Sequence, residues 1–134
     1  HALKHFVEPF RYHDVLGTSK GGFRIGTYGR EDELVPFIQA FRALPAVVMK
    51  DVEKLGGCEV GTLRAQGVVV RECEFDGRSY FYIANTVYAP RTVTIAFPAG
   101  TVDLVTGRSL AADRCGRPVE FVLKPYEFRS FSSR

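Results

Sequence analysis

His1 and His5 stand four residues apart, the spacing that brings two imidazoles onto one helical face within reach of a metal ion. No glutamate in an H-E-x-x-H arrangement accompanies them, so the pair reads as an exposed terminus. His13 beside Asp14 offers an acid–base couple, but adjacency alone is ordinary surface decoration. Ser19, in "GTSKGG", lies near glycines and a lysine without meeting the phosphate-loop order G-x-x-x-x-G-K-[ST]. No serine sits in G-x-S-x-G. Cys58, Cys73 and Cys115 are 15 and 42 residues apart, which fits no zinc or redox spacing such as C-x-x-C. They read as buried free thiols, with one disulfide and a spare thiol as the alternative, and the compartment stays open. The carboxylates fall into local roles. Glu31, Asp32 and Glu33 suit the start of a helix, Glu72 and Glu74 share a solvated strand face, Asp76 is a turn residue and Asp103 precedes another turn. No catalytic constellation emerges.

The elements that must position these groups change period along the chain. Leu3, Phe6, Val7 and Phe10 have helical spacing, and Pro9 makes any helix there short or kinked. Gly17, Gly21, Gly22, Gly26 and Gly29 predict a loop or irregular extended segment, with Phe23, Ile25 and Tyr28 between them. In "REDELVPFIQAFRALP", Leu34, Phe37, Ile38, Phe41 and Leu44 line one face of a helix. Its acidic start suits the exposed amides and the dipole. Pro36 is tolerable only in its first turn, and Pro45 ends it. That apolar face needs a surface to cover it.

After Pro45 the period is two. "VVVRECEF" and "RSYFYIANT" flank Asp76-Gly77, which predicts a hairpin with a type I′ turn, Cys73 facing Tyr80 and Val70 facing Ile83. Both faces of Tyr80–Phe81–Tyr82–Ile83 are apolar, so both must be covered. "RTVTIAF" aligns Val93, Ile95 and Phe97, and "VEFVL" aligns Val119, Phe121 and Leu123. "TVDLV" leads into the Thr106-Gly107 turn, "EFRSF" closes the set, and "AVVMKDV" is a further strand candidate. The expected fold is mainly β: an antiparallel β-sandwich over residues 46–134, preceded by a helical and irregular segment over 1–45.

Composition narrows the function classes. The chain has 134 residues and is 46% hydrophobic, enough for one domain with a real core. Its net charge of +3 is spread without a basic stripe, which argues against nucleic-acid binding. No apolar run approaches the ~20 residues of a membrane span, and no signal-peptide pattern opens the chain. It begins at His1, with Met49 its single methionine, and reads as cut from a larger polypeptide.

The succession "IQAFRALPAV", "GVVVRECEFDGRSYFYIANT", "APRTVTIAF", "TVDLVTGRSL" and "VEFVLKPYEFRSF" resembles the C-terminal β-sandwich that follows the catalytic (β/α)8 barrel in many glycoside hydrolases. The likeness covers residues 34–131. It sets the last barrel helix at about 31–44, and Asn85 before a corner at Pro90. The resemblance implies a non-catalytic accessory domain that packs on the barrel and stabilises it. The partner would be the preceding barrel, with no cofactor, and the catalytic carboxylates, ~5–10 Å apart, would lie on that barrel. The alternatives are a carbohydrate-binding module, or a protein-interaction sandwich using its aromatic face. Tyr80, Tyr82, Tyr88 and Tyr126 are the candidates for sugar or domain-interface contacts, although the chain lacks tryptophan, the largest stacking surface. Without its barrel, the domain is expected to expose an apolar patch and self-associate.

Overall fold

The computed structural model describes residues 4–12, 14, 31–110 and 117–133, leaving aside the side chains of 31–33. The glycine-rich stretch 17–29 lies outside them, as do His1, Leu3, His13, Ser19 and Cys115. The protein is mainly antiparallel β, and its centre is the hairpin of β4 (Val68–Phe75) and β5 (Arg78–Asn85). Asp76 and Gly77 take φ of 52° and 78°, both positive as a type I′ turn requires. This two-residue turn fixes the register, so Cys73 pairs with Tyr80 and Val70 with Ile83, as the alternation predicts. Around the hairpin a five-stranded sheet forms in the order β1-β4-β5-β9-β7, with β1 Lys50–Asp51, β7 Val102–Asp103 and β9 Phe128–Ser133.

Because side chains alternate, the sheet has two distinct apolar faces. On one face, Val68, Val70, Phe81, Ile83 and Phe131 meet Val93, Ile95 and Leu123 of the smaller sheet of β6 (Arg91–Ile95) and β8 (Val119–Leu123). Phe81 stacks on Phe131 with centroids 4.9 Å apart. This is the expected sandwich. A hairpin of β2 (Lys54–Leu55) and β3 (Cys58–Glu59) closes one side. Its Gly56 has φ +57° and lies so close to the Ala96 backbone that a Cβ would collide with the Ala96 carbonyl.

The other face carries Val69, Tyr82, Ala84 and Phe128, and helices cover it. Helix α1 (Lys4–Val7) gives way to a single 3-10 turn, Glu8–Arg11, at Pro9, so the predicted kink is real. Helix α2 (Glu31–Arg42) buries Leu34, Phe37, Ala40 and Phe41, with Leu44 just beyond. Phe10 sits among Phe37, Phe41, Tyr82 and Phe128, with centroids between 4.9 and 6.2 Å away. Both sides of β5 are therefore occupied, which accounts for its apolar residues on both faces. One expectation needs correcting: Pro36 lies inside α2, past its first turn. A helix-interior proline costs ~3 kcal/mol. Burying Phe37 and Phe41, at roughly 1.5–3 kcal/mol each, is enough to hold the helix through it.

Candidate functional site

Arg71 is the one charge in the apolar run of β4, and it lies on the helix-covered face, directly across the ladder from Tyr82. The residue is 7% exposed. Arg71 Nη1 donates to the Tyr82 hydroxyl at 2.7 Å, and that hydroxyl donates to Asp14 Oδ1 at 2.8 Å. Arg71 Nε donates to Asp51 Oδ1 at 3.1 Å. Asp14 Oδ2 also accepts the Met49 backbone N–H at 2.7 Å. A relay thus joins the N-terminal segment, β1, β4 and β5. Burial, the largest cause, pushes the Tyr82 hydroxyl well above its ordinary range. Arg71 pulls it down and Asp14 pushes it up.

Chemically, this arrangement holds rather than reacts. Each donor and acceptor named is engaged, and the tyrosine is kept neutral. Sequence adjacency suggested His13–Asp14 as surface decoration, whereas Asp14 is a half-buried clasp on the sheet. The Arg71–Tyr82 half of the relay was available in the sequence, since the two-residue turn that pairs Val70 with Ile83 also pairs Arg71 with Tyr82.

Beside this relay, an open cleft of about 360 Å³ lies where β1 leaves β4. Val47, Val48, Cys73, Lys50, Glu72, Glu74 and Ser79 line it. Glu72 and Glu74 are exposed, as the strand pattern predicts. Burial pushes the Cys73 thiol up, helped by the carboxylates of Asp14 and Glu72. Cys58 and Cys73 are free and half-buried, more open than expected of core thiols. Among the described residues, no three His, Cys, Asp or Glu side chains gather as a metal site. None of the described helices is long and apolar enough to cross a membrane.

The four candidate tyrosines separate. Tyr80 is half-buried on β5 beside the helix-side cluster, and Tyr82 is fully buried within it. Tyr88 is 70% exposed, on the corner between β5 and β6. Its ring centroid is 6.0 Å from that of Tyr126, which is buried. Tyr126 occupies the third position of the turn 124–127, closed by the Glu127 N–H donating to the Lys124 carbonyl. There it takes φ +58°, a conformation costing a side chain roughly 1–3 kcal/mol.

Asn85 joins corner and turn. Fully buried, its Nδ2 donates to the Ala89 and Lys124 carbonyls at 2.8 and 3.0 Å, and its Oδ1 accepts the Val87 N–H. Asp103 has a similar local task. Its Oδ1 accepts the N–H groups of Val105 and Thr106, while Oδ2 accepts from Arg129 Nη2 at 3.2 Å. This side-chain capping bends the chain immediately after β7 and keeps that strand to two residues.

No family model matches this chain, and no curated protein does. Its fold has relatives among solved structures. One is described as a candidate alpha-galactosidase/melibiase from Bacteroides fragilis NCTC 9343, 17% identical with a TM-score of 0.44, covering 51% of this chain and 16% of that one. A second, a candidate alpha-galactosidase from the same strain, is 18% identical with a TM-score of 0.41, over 51% and 16%. The third is a variant of AmyP in complex with maltotriose. It is 16% identical with a TM-score of 0.50, over 84% of this chain and 23% of that chain. At 16% identity the likeness to the third is one of fold. The chain spans between 16% and 23% of the length of these structures.

Proposed function

We propose that the chain is the non-catalytic C-terminal accessory β-sandwich of a glycoside hydrolase, packed against its (β/α)8 barrel and stabilising it. The observation that carries this reading is the match of 84% of the chain to under a quarter of a longer protein crystallised with maltotriose. The order of motifs from residue 34 to 131 supports it independently. The geometry is compatible with a structural role, because the buried polar groups brace elements against one another. Ser130 Oγ, for example, donates to the Ala40 carbonyl at 2.8 Å and ties β9 to α2. The barrel would meet the outer ridge of α2, where Val35, Pro36, Gln39 and Arg42 are exposed. In the absence of a barrel, that ridge would promote self-association.

The test uses the full reading frame that encodes this chain. A barrel should precede it, and removing residues 46–134 should lower the Tm of the barrel and its activity together. The isolated chain should release no nitrophenol from nitrophenyl glycosides. Hydrolysis by the isolated chain, or a barrel whose Tm and activity are untouched by the removal, would overturn the reading.

A further inference from the structure

The corner at Tyr88 is built more firmly than a connecting loop requires. Residues 86–90 and the turn 124–127 are far apart in sequence, yet one buried side chain, Asn85, holds a carbonyl from each. The Asn85 N–H adds a third tie by donating to the Glu127 carbonyl at 2.9 Å. On the turn side, Lys124 N–H donates to Glu127 Oε1 at 2.8 Å. Tyr126 then accepts a left-handed backbone, and its buried ring backs the exposed ring of Tyr88. The result is a corner braced by its backbone before any ligand arrives, carrying a ring that is 70% exposed.

Its surroundings limit what it can recognise. Pro90 and Lys124 beside it are exposed, and no other large exposed apolar side chain belongs to the corner or the turn. A protein interface needs a contiguous buried patch with an apolar core, on the order of 800 Å² a side. One tyrosine does not supply it. The C–H face of a single pyranose, by contrast, is about the size of one ring, and a tyrosine offers it an apolar surface with a polar tip. Prior bracing of the corner lowers the ordering cost that limits small-ligand affinity.

We propose that the Tyr88 corner is a sugar-binding site that stacks a pyranose on the Tyr88 ring, with Asn85 and Tyr126 as positioning residues. The site goes beyond the structural role above and does not require a barrel; only the use of an α-glucan as first probe rests on that reading.

Affinity gel electrophoresis tests it, with amylose in one gel and galactomannan in another. The wild-type chain should be retarded in at least one. Tyr88→Ala should weaken that retention about tenfold, and Tyr88→Phe should restore it, since stacking needs the ring and not the hydroxyl. Tyr12→Ala is the control: Tyr12 is 74% exposed, but it lies at the end of the 3-10 turn with the Arg11 guanidinium 5.8 Å from its ring centroid. Its retention should equal that of wild type. Amide chemical shifts of the wild-type chain, titrated with the oligosaccharide of the retarding glycan, should move at 86–90 and 124–127, whatever the variants do to folding. No retardation in either gel overturns the proposal. So does full retention by Tyr88→Ala, or a set of shifts confined to another part of the sheet. A site that binds while the barrel test fails would leave this inference standing and remove the accessory reading alone.

Discussion

Replacing Tyr82 with phenylalanine removes one oxygen and leaves the ring, so it isolates the polar relay from the packing around it. In the folded protein that oxygen accepts from Arg71 at 2.7 Å and donates to Asp14 at 2.8 Å. Its loss takes one bond from Arg71, a residue 7% exposed that keeps its bond to Asp51, and one from Asp14, which keeps the Met49 amide. A hydrogen bond to a charged group is worth about 1.5–3 kcal/mol, and a buried group deprived of its partner loses a comparable amount. Two such bonds share one hydroxyl, and Asp14 can recover part of its loss from water, so the expected destabilisation is about 2 kcal/mol. At roughly 3–5 °C per kcal/mol for a domain of this size, Tm should fall by about 6–10 °C. Urea denaturation of wild type, Tyr82→Phe, Asp14→Ala and the double variant completes a cycle. A coupling energy of about 1 kcal/mol or more is expected between positions 68 residues apart. If Tyr82→Phe lies within 0.5 kcal/mol of wild type and the two changes simply add, the relay contributes nothing and the reasoning fails.

Asn85→Ala strips two carbonyls and an amide of their partner at a fully buried site, and should cost about 3 kcal/mol by urea denaturation; a loss below 1 kcal/mol would show that the corner does not depend on it. Gly77→Ala meets nothing within 4 Å, so its cost is that of the backbone at φ +78° alone, about 1 kcal/mol. A larger loss would mean that the turn carries contacts beyond its own geometry. Stability should also fall in alkali. Burial raises both Cys73 and Tyr82, so well below pH 9 each keeps its proton folded or unfolded. As pH rises past the ordinary values of 9.0 and 10.0, the unfolded chain releases those protons while the folded chain retains them. The unfolded state then binds fewer protons, and the slope of stability against pH turns negative, by up to about 1.4 kcal/mol per pH unit for Tyr82. Urea midpoints from pH 8 to 11, under reducing conditions, should drop more steeply in wild type than in Tyr82→Phe; equal slopes would contradict the assignment.

What could be read in advance was whatever depends on near neighbours. Asp76-Gly77 fixes a turn within two residues, and the turn fixes the register of sixteen residues around it. The face of α2 follows from the spacing of Leu34, Phe37 and Phe41. The kink at Pro9 follows from the missing amide. The relay was harder because Asp14, Asp51, Arg71 and Tyr82 come from four segments, and no local pattern links Asp14 to Tyr82. Half of it was nonetheless implicit, since the hairpin register places Arg71 across from Tyr82. Strand lengths were overestimated where a side chain competes for the backbone. β1 is two residues rather than the length of "AVVMKDV", and the Met49 amide just before it is held by Asp14. β7 ends where Asp103 captures the next amides. Pro36 was misjudged because propensity weighs a residue alone, whereas the aromatic cluster beneath α2 weighs the whole helix.

The position of β9 bears on how such a chain comes into being on a ribosome. Residues 128–133 fill a slot between β5 and β7, and Phe128 and Phe131 enter the two opposite cores. Everything that β9 holds together is made before it. While the strand is still inside the exit tunnel, β5 has one open edge and neither apolar layer is complete, so the nascent domain offers chaperones an adhesive surface. A message broken a few codons before residue 128 would yield a sandwich that cannot close.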